Sequence, residues 1–90
     1  MRKRYLEQRH IVLDSGQSCL ALEREYWHAL EVLAYEDDWN NWRDFFYMRV
    51  LSHKAEDISL ASHVRKMVTV FLFDEYAKSH TLGEIGKNVN

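Results

Sequence analysis

The 90-residue chain has no proline, three glycines and one cysteine, Cys19. A lone cysteine excludes an internal disulfide, so packing and hydrogen bonds must hold the fold, as expected in a reducing, cytoplasmic setting. With glycine confined to Gly16, Gly83 and Gly86 and no proline at all, no interdomain linker or low-complexity block can be drawn. No Gly-rich phosphate loop, no Ser-His-Asp order and no pair of acids set for hydrolysis is present, which argues against an enzyme. The longest strongly apolar run, Met67 to Phe73 broken by Thr69, is far too short to span a bilayer. The charged start is not followed by an apolar signal-peptide core, so no membrane partner is expected.

Against these absences stands a large apolar content. Hydrophobic residues make up 47% of the chain, with three Trp, five Tyr and four Phe. That excludes a disordered segment. It is also generous for a small monomer and suggests a core shared between subunits. The net charge of −2 is uneven: in the first nine residues Arg2, Lys3, Arg4 and Arg9 face only Glu7, leaving an acidic body behind a basic arm.

The order of patterns along the chain predicts a mainly α fold. Residues 1–10 read as the basic N-terminal arm, 11–78 as the folded domain and 79–90 as a loose tail holding Gly83 and Gly86. Ile11-Val12-Leu13 is a candidate brief strand closed by the turn-like Asp14-Ser15-Gly16. Ser18 to Leu22 alternates and reads as a strand. From Glu23 the spacing turns helical, with Tyr26 or Trp27, Leu30, Leu33 and Ala34 on one stripe and an end near Glu36-Asp37-Asp38. Asn40 or Asn41 caps a second helix from about Trp42 to Ser52, Asn41 with Asp44 resembling a capping box. Ser59 caps a third helix to about Lys78, in which Val70, Phe73 and Tyr76 add apolar surface beyond the main stripe, so that it should be covered on most sides. A buried strand is the alternative for Met67 to Phe73.

A strand at Ser18–Leu22 running straight into a helix leaves backbone groups unpaired. Read as too short to form a hairpin at home, it can pair with its own copy across a two-fold axis, Leu20 and Leu22 packing inward. "SCLALEREYWHALEVLA" resembles the start of a ribbon-helix-helix domain, in the variant where TS-x-x-LE-x-x-FW-x-x-L-x-x-(I/L)-A leads the first helix. Ser18, Leu22, Glu23, Tyr26, Trp27, Leu30, Leu33 and Ala34 fall on that pattern, with Tyr26 in place of Phe and Cys19 in place of Ser. "ISLASHVRKMVTVFLFDEY" resembles the extra C-terminal helix of the same variant, through Leu60, Ser62, Arg65, Val70 and Tyr76.

That resemblance implies a homodimeric, sequence-specific binder of double-stranded DNA, a transcriptional regulator such as a repressor, whose two-stranded ribbon enters the major groove. Gln17, Cys19 and Ala21 are the implied base-facing residues. Gln17 suits an adenine edge, and the other two suit small apolar contacts. Backbone amides near Asn40, Asn41 and Trp42 would clamp a phosphate, with Arg2, Lys3, Arg4 and Arg9 tracking the backbone. Leu20, Leu22, Trp27 and Leu30 would form the dimer core. The carboxylates of Glu36, Asp37 and Asp38 sit just before the clamp. The alternative function is a protein-interaction module, of antitoxin or small-inhibitor type, using an acidic and aromatic surface.

No metal or cofactor is expected. Glu25 and His28 have Glu-x-x-His spacing, but no second copy of it exists, and a solvated pair is the simpler reading. His53 and His63 are far apart in sequence, and Cys19 has no neighbouring Cys or His in sequence for zinc. Trp27, Trp39 and Trp42 are expected in the core rather than as base-stacking platforms. Arg65-Lys66 reads as the wet edge of the third helix.

Overall fold

The computed structural model describes residues 5–54 and 57–80. Two strands, β1 (Leu6–Leu13) and β2 (Gly16–Glu23), form an antiparallel pair running from Leu6 opposite Glu23 to Leu13 opposite Gly16. Three helical segments follow: α1 (Arg24–Glu36), α2 (Trp42–Phe45) and α3 (Leu60–Ser79). Between α2 and α3 the chain stays wound, first as a π-helical stretch (Phe46–Val50) and then as a 3-10 turn (Leu51–His53).

The hairpin overturns the expectation of a strand without a partner at home. The ladder of β2 is completed by β1 of the same chain, so no second copy is required to pair it. The connection is the two-residue Asp14-Ser15, and Gly16 takes the positive φ of 125° that follows it. Glycine enters that region without the Cβ clash other residues suffer. The expected arm is shortened by the same fact, because Leu6–His10 belongs to β1, while residues 1–4 lie outside the described residues.

Alternation sorts the hairpin into two faces. Ile11, Leu20 and Leu22 are buried on the inner face, where they meet Trp27, Leu30, Phe46, Val64 and Val68 in one core. Leu20, Leu22, Trp27 and Leu30, expected as a dimer core, are therefore buried within a single chain. The 90-residue length left room for this because β1 supplies the missing cover.

β2 enters α1 with no loop between them. Glu23 is both the last strand residue and the N-cap, but its carboxylate does not cap. It is turned to Arg65 of α3, whose Nε and Nη2 donate to it at 2.9 and 3.2 Å. α1 stops at a six-residue closure: Asp38 N–H bonds Tyr35 O and Trp39 N–H bonds Ala34 O, with Asp38 left-handed at φ 62°. This is the Schellman pattern, with aspartate where glycine is usual.

Asn41 caps α2 and Ser59 caps α3, as their spacing predicts, through bonds from Asp44 N–H (2.9 Å) and Ser62 N–H (3.2 Å). Met67 to Phe73 is helical. The π-helical stretch keeps Phe46 and Val50 buried and directs the Val50 carbonyl at buried His63, 2.7 Å away. A carbonyl only accepts, so His63 Nε2 carries the proton. α3 departs from its expected cover: only His63, Val64 and Val68 are buried, while Val70, Leu72, Phe73 and Tyr76 are exposed. No helix among the described residues is long and apolar enough to cross a membrane.

Candidate nucleic-acid interface

The outer face of the hairpin carries three cross-strand pairs: Gln8 opposite Ala21, His10 opposite Cys19, and Val12 opposite Gln17. Gln8, His10, Val12, Gln17 and Cys19 are exposed and Ala21 is half-buried. The three residues expected to face bases thus share one face, and β1 adds three more to it. Sequence reasoning missed Gln8, His10 and Val12 because that stretch reads as an arm. The signal was short, Ile11 and Leu13 two apart before a two-residue turn.

Cys19 Sγ lies 3.7 Å from His10 Nδ1 and 4.0 Å from Nε2. The thiol rests alongside the ring and is a weak hydrogen-bonding group. No third ligand stands near: among the described residues no group of three or more His, Cys, Asp or Glu is placed to hold a metal ion.

β1 is held in place by side chains from the helices. Trp27 Nε1 donates to Glu7 O (2.7 Å), Arg43 Nη1 donates to His10 O (2.7 Å), and Tyr47 Oη accepts from Val12 N–H (2.8 Å). Each ties a backbone group of β1 to a helical side chain, which fixes the hairpin on the helices.

Arg9 corrects a second expectation. Its guanidinium lies over Trp27 (4.7 Å to the ring centroid) and Trp42 (5.1 Å), and it pairs with Glu7 at 2.8 Å and Glu31 at 3.0 Å. With its side chain 22% exposed, it is a structural cation fixed between two indoles, not a free arm residue for phosphate. The inward position of residue 9 in β1 causes this. Arg2, Lys3 and Arg4 fall outside the described residues.

At the expected phosphate clamp the side chains of Asn41 and Trp42 are engaged within the chain. Asn41 Oδ1 accepts the Asp44 amide, and Asn41 Nδ2 donates to Asp44 Oδ2 at 3.2 Å. The Trp42 ring packs edge-on against Trp27 (5.3 Å) and Phe46 (5.7 Å). Asp37 accepts from Trp39 Nε1 (2.8 Å) and Arg49 Nη1 (3.0 Å). The Asn41 side chain thus serves as the cap of α2, and the carboxylates of Asp44 and Asp37 flank this turn.

One further surface stands out. A groove of about 530 Å³ opens between α1 and α3, lined by Tyr26, Ala29, Val68, Leu72 and Phe73, with Glu25 and Thr69 as its polar members. Arg65, which lies over the Tyr26 ring at 5.9 Å, holds the Glu23 carboxyl below the usual glutamate range through its hydrogen bonds. Glu25 and His28 are both exposed on α1.

Comparison with known proteins matches no family model, no curated relative and no solved structure.

Proposed function

We propose that the chain is a sequence-specific DNA-binding module of transcription-regulator type that offers its own hairpin to the major groove. The observation that carries this reading is the outer hairpin face, where exposed Gln8, His10 and Gln17 stand on a ribbon whose other face is buried. A two-stranded ribbon fits the major groove, glutamine bonds an adenine edge, and Val12 and Ala21 suit thymine methyls. The order hairpin, helix, turn, helix, helix keeps the ribbon-helix-helix plan with one change. The ribbon is complete within one chain, and the inter-subunit strand pair is withdrawn. Arg2, Lys3 and Arg4, just ahead of β1, are assigned the phosphate contacts that Arg9 cannot make.

The test is selection of a preferred site from a randomised duplex library with the full chain, followed by titration over a salt series. Arg4→Ala is expected to lower the salt slope by about one unit, and Gln17→Ala to relax the preference at one base pair. Absence of salt-sensitive binding to any duplex overturns the reading.

The apolar groove between α1 and α3 favours a second reading, a protein-interaction module that receives an amphipathic helix. Glu25 at its rim suits a basic edge on that helix. A photo-cross-linker at Ala29 would then capture one protein in cells, lose it on Leu72→Glu, and find none when moved to Val12.

A further inference from the structure

Of the nine exposed large hydrophobic residues among the described residues, four lie on α3: Val70, Leu72, Phe73 and Tyr76. Lys66, Val70, Phe73 and Ala77 recur along α3 at spacings of four, three and four, the rhythm of a helix that packs on another helix. Val70 is 43% exposed and Phe73 68%, with Tyr76 at 58% on the flank. Of the buried residues of α3, Val64 and Val68 lie on its other side, while His63 lies in line with Val70 at the buried N-terminal end.

We propose that this stripe seats a second copy of the chain, with the two α3 helices antiparallel about a two-fold axis near Val70. The charges on α3 carry the argument. Arg65 is paired with Glu23, and Lys78 with Glu75, inside the chain. Lys66 and Asp74 make no ion pair with any described residue. They stand four residues before and four residues after Val70. In a two-fold contact each residue meets the counterpart that meets it. Antiparallel helices centred on Val70 bring Lys66 of each copy to Asp74 of the other, and Met67 to Phe73. A parallel pair would set Lys66 on Lys66 and Asp74 on Asp74, which like charge disfavours. The stripe is therefore complementary to itself in one direction only. Val70 and Phe73 lose water at the centre while the two charge pairs close the ends.

This inference goes beyond the proposed function and does not depend on it, since the stripe is on α3 and the outer hairpin face takes no part. It also differs from the strand-swapped dimer that the sequence suggests, because β1 already completes β2.

Sedimentation equilibrium of the full chain from about 1 μM to about 100 μM, without nucleic acid, decides the matter. The wild type is expected to be dimeric at the upper end. Lys66→Asp and Asp74→Lys should each weaken the dimer on the order of tenfold, since two symmetric contacts turn repulsive. The double exchange should restore the dimer to within about threefold of the wild type, a recovery that only opposed Lys66 and Asp74 produce. Phe73→Glu should abolish it while leaving the helical circular dichroism unchanged, because that ring is exposed in the monomer. A wild type that stays monomeric, a double exchange no better than either single change, or a dimer indifferent to Phe73→Glu overturns the proposal.

Discussion

Two aromatic regions of the molecule treat the same kind of residue in opposite ways. Around β1, Trp27, Trp42 and Phe46 pack edge to face, cage Arg9, and spend the Trp27 N–H on a strand carbonyl. Along the second half of α3, Val70 and Phe73 stand in the open, and Tyr76 is covered only by the stacked His80 ring. The first region is a finished core, its rings packed edge-on and the Trp27 N–H given a partner. The second has apolar area that the described residues leave largely uncovered. Composition does not distinguish the two; only the geometry of burial does. The contrast breaks most sharply under truncation. Trp27→Ala is expected to cost about 3–5 kcal/mol, enough to unfold a domain of this size, whereas Phe73→Ala should change the monomer by less than about 0.5 kcal/mol. Urea melts at a concentration low enough to keep the chain monomeric read both.

The same contrast runs along α3 itself. Its N-terminal half is tied down by buried His63 and by Arg65, and its C-terminal half has neither anchor. His63→Leu keeps much of the buried volume but strands the Val50 carbonyl in the core. Its expected cost is about 1–3 kcal/mol, the penalty for a buried acceptor left without a donor. Hydrogen exchange should sharpen the point: amides from Val64 to Val68 protected close to the global limit, and those beyond Thr69 exchanging faster in the monomer.

Much of this architecture is legible in the residues, and what is not has a physical cause. The helix ends were readable because caps are local: Asn41, Ser59 and the Glu36–Asp38 stop each act within four residues. The core stripe of α1 was readable because a period of 3.6 is local too. The hairpin was not, because β1 carries Glu7 and Arg9 on its inner face, where alternation leads one to expect apolar side chains. Arg9 is accepted there only because two indoles and two carboxylates from distant segments receive it. The inner face therefore looks like a basic arm until its partners are in place. The bare half of α3 was misjudged for the opposite reason: its residues are those of a buried helix, and nothing in their spacing says which side of the helix lacks a neighbour. Of the candidate interface, Gln17, Cys19 and Ala21 share one face, as alternation predicts, while at Asn40–Trp42 the Asn41 side chain is engaged by Asp44.

The turn that separates α1 from α2 offers a smaller effect. Asp38 holds a left-handed backbone that glycine adopts freely. Asp38→Gly should remove that strain, partly offset by the freedom glycine adds to the unfolded chain, for a net gain of up to about 1 kcal/mol in the same urea melts. The neighbouring Asp37 is expected to behave differently. It is fixed by Trp39 and Arg49, so Asp37→Gly should lose stability instead.

The smallest effect joins the two halves of the comparison, because Glu23 at the hairpin's end grips the anchored half of α3. Hydrogen bonds from Arg65 lower its carboxyl pKa in the folded state. On acidification the unfolded chain therefore takes up this proton first, near the ordinary glutamate value of about 4.3, while the folded chain still holds the carboxylate. The stabilisation is complete above that value and is lost as pH falls through the lowered one. Glu23→Gln deletes the titration, so the difference in urea midpoint between wild type and variant should be widest near neutrality and shrink on acidification below the ordinary glutamate value. The pair is about one-third exposed, which keeps the effect modest and makes it fade with added salt. A gap between the two proteins that stays constant from neutrality to acid would mean that Arg65 meets Glu23 by packing alone, and that the charge on Glu23 contributes nothing to holding α3 against the hairpin.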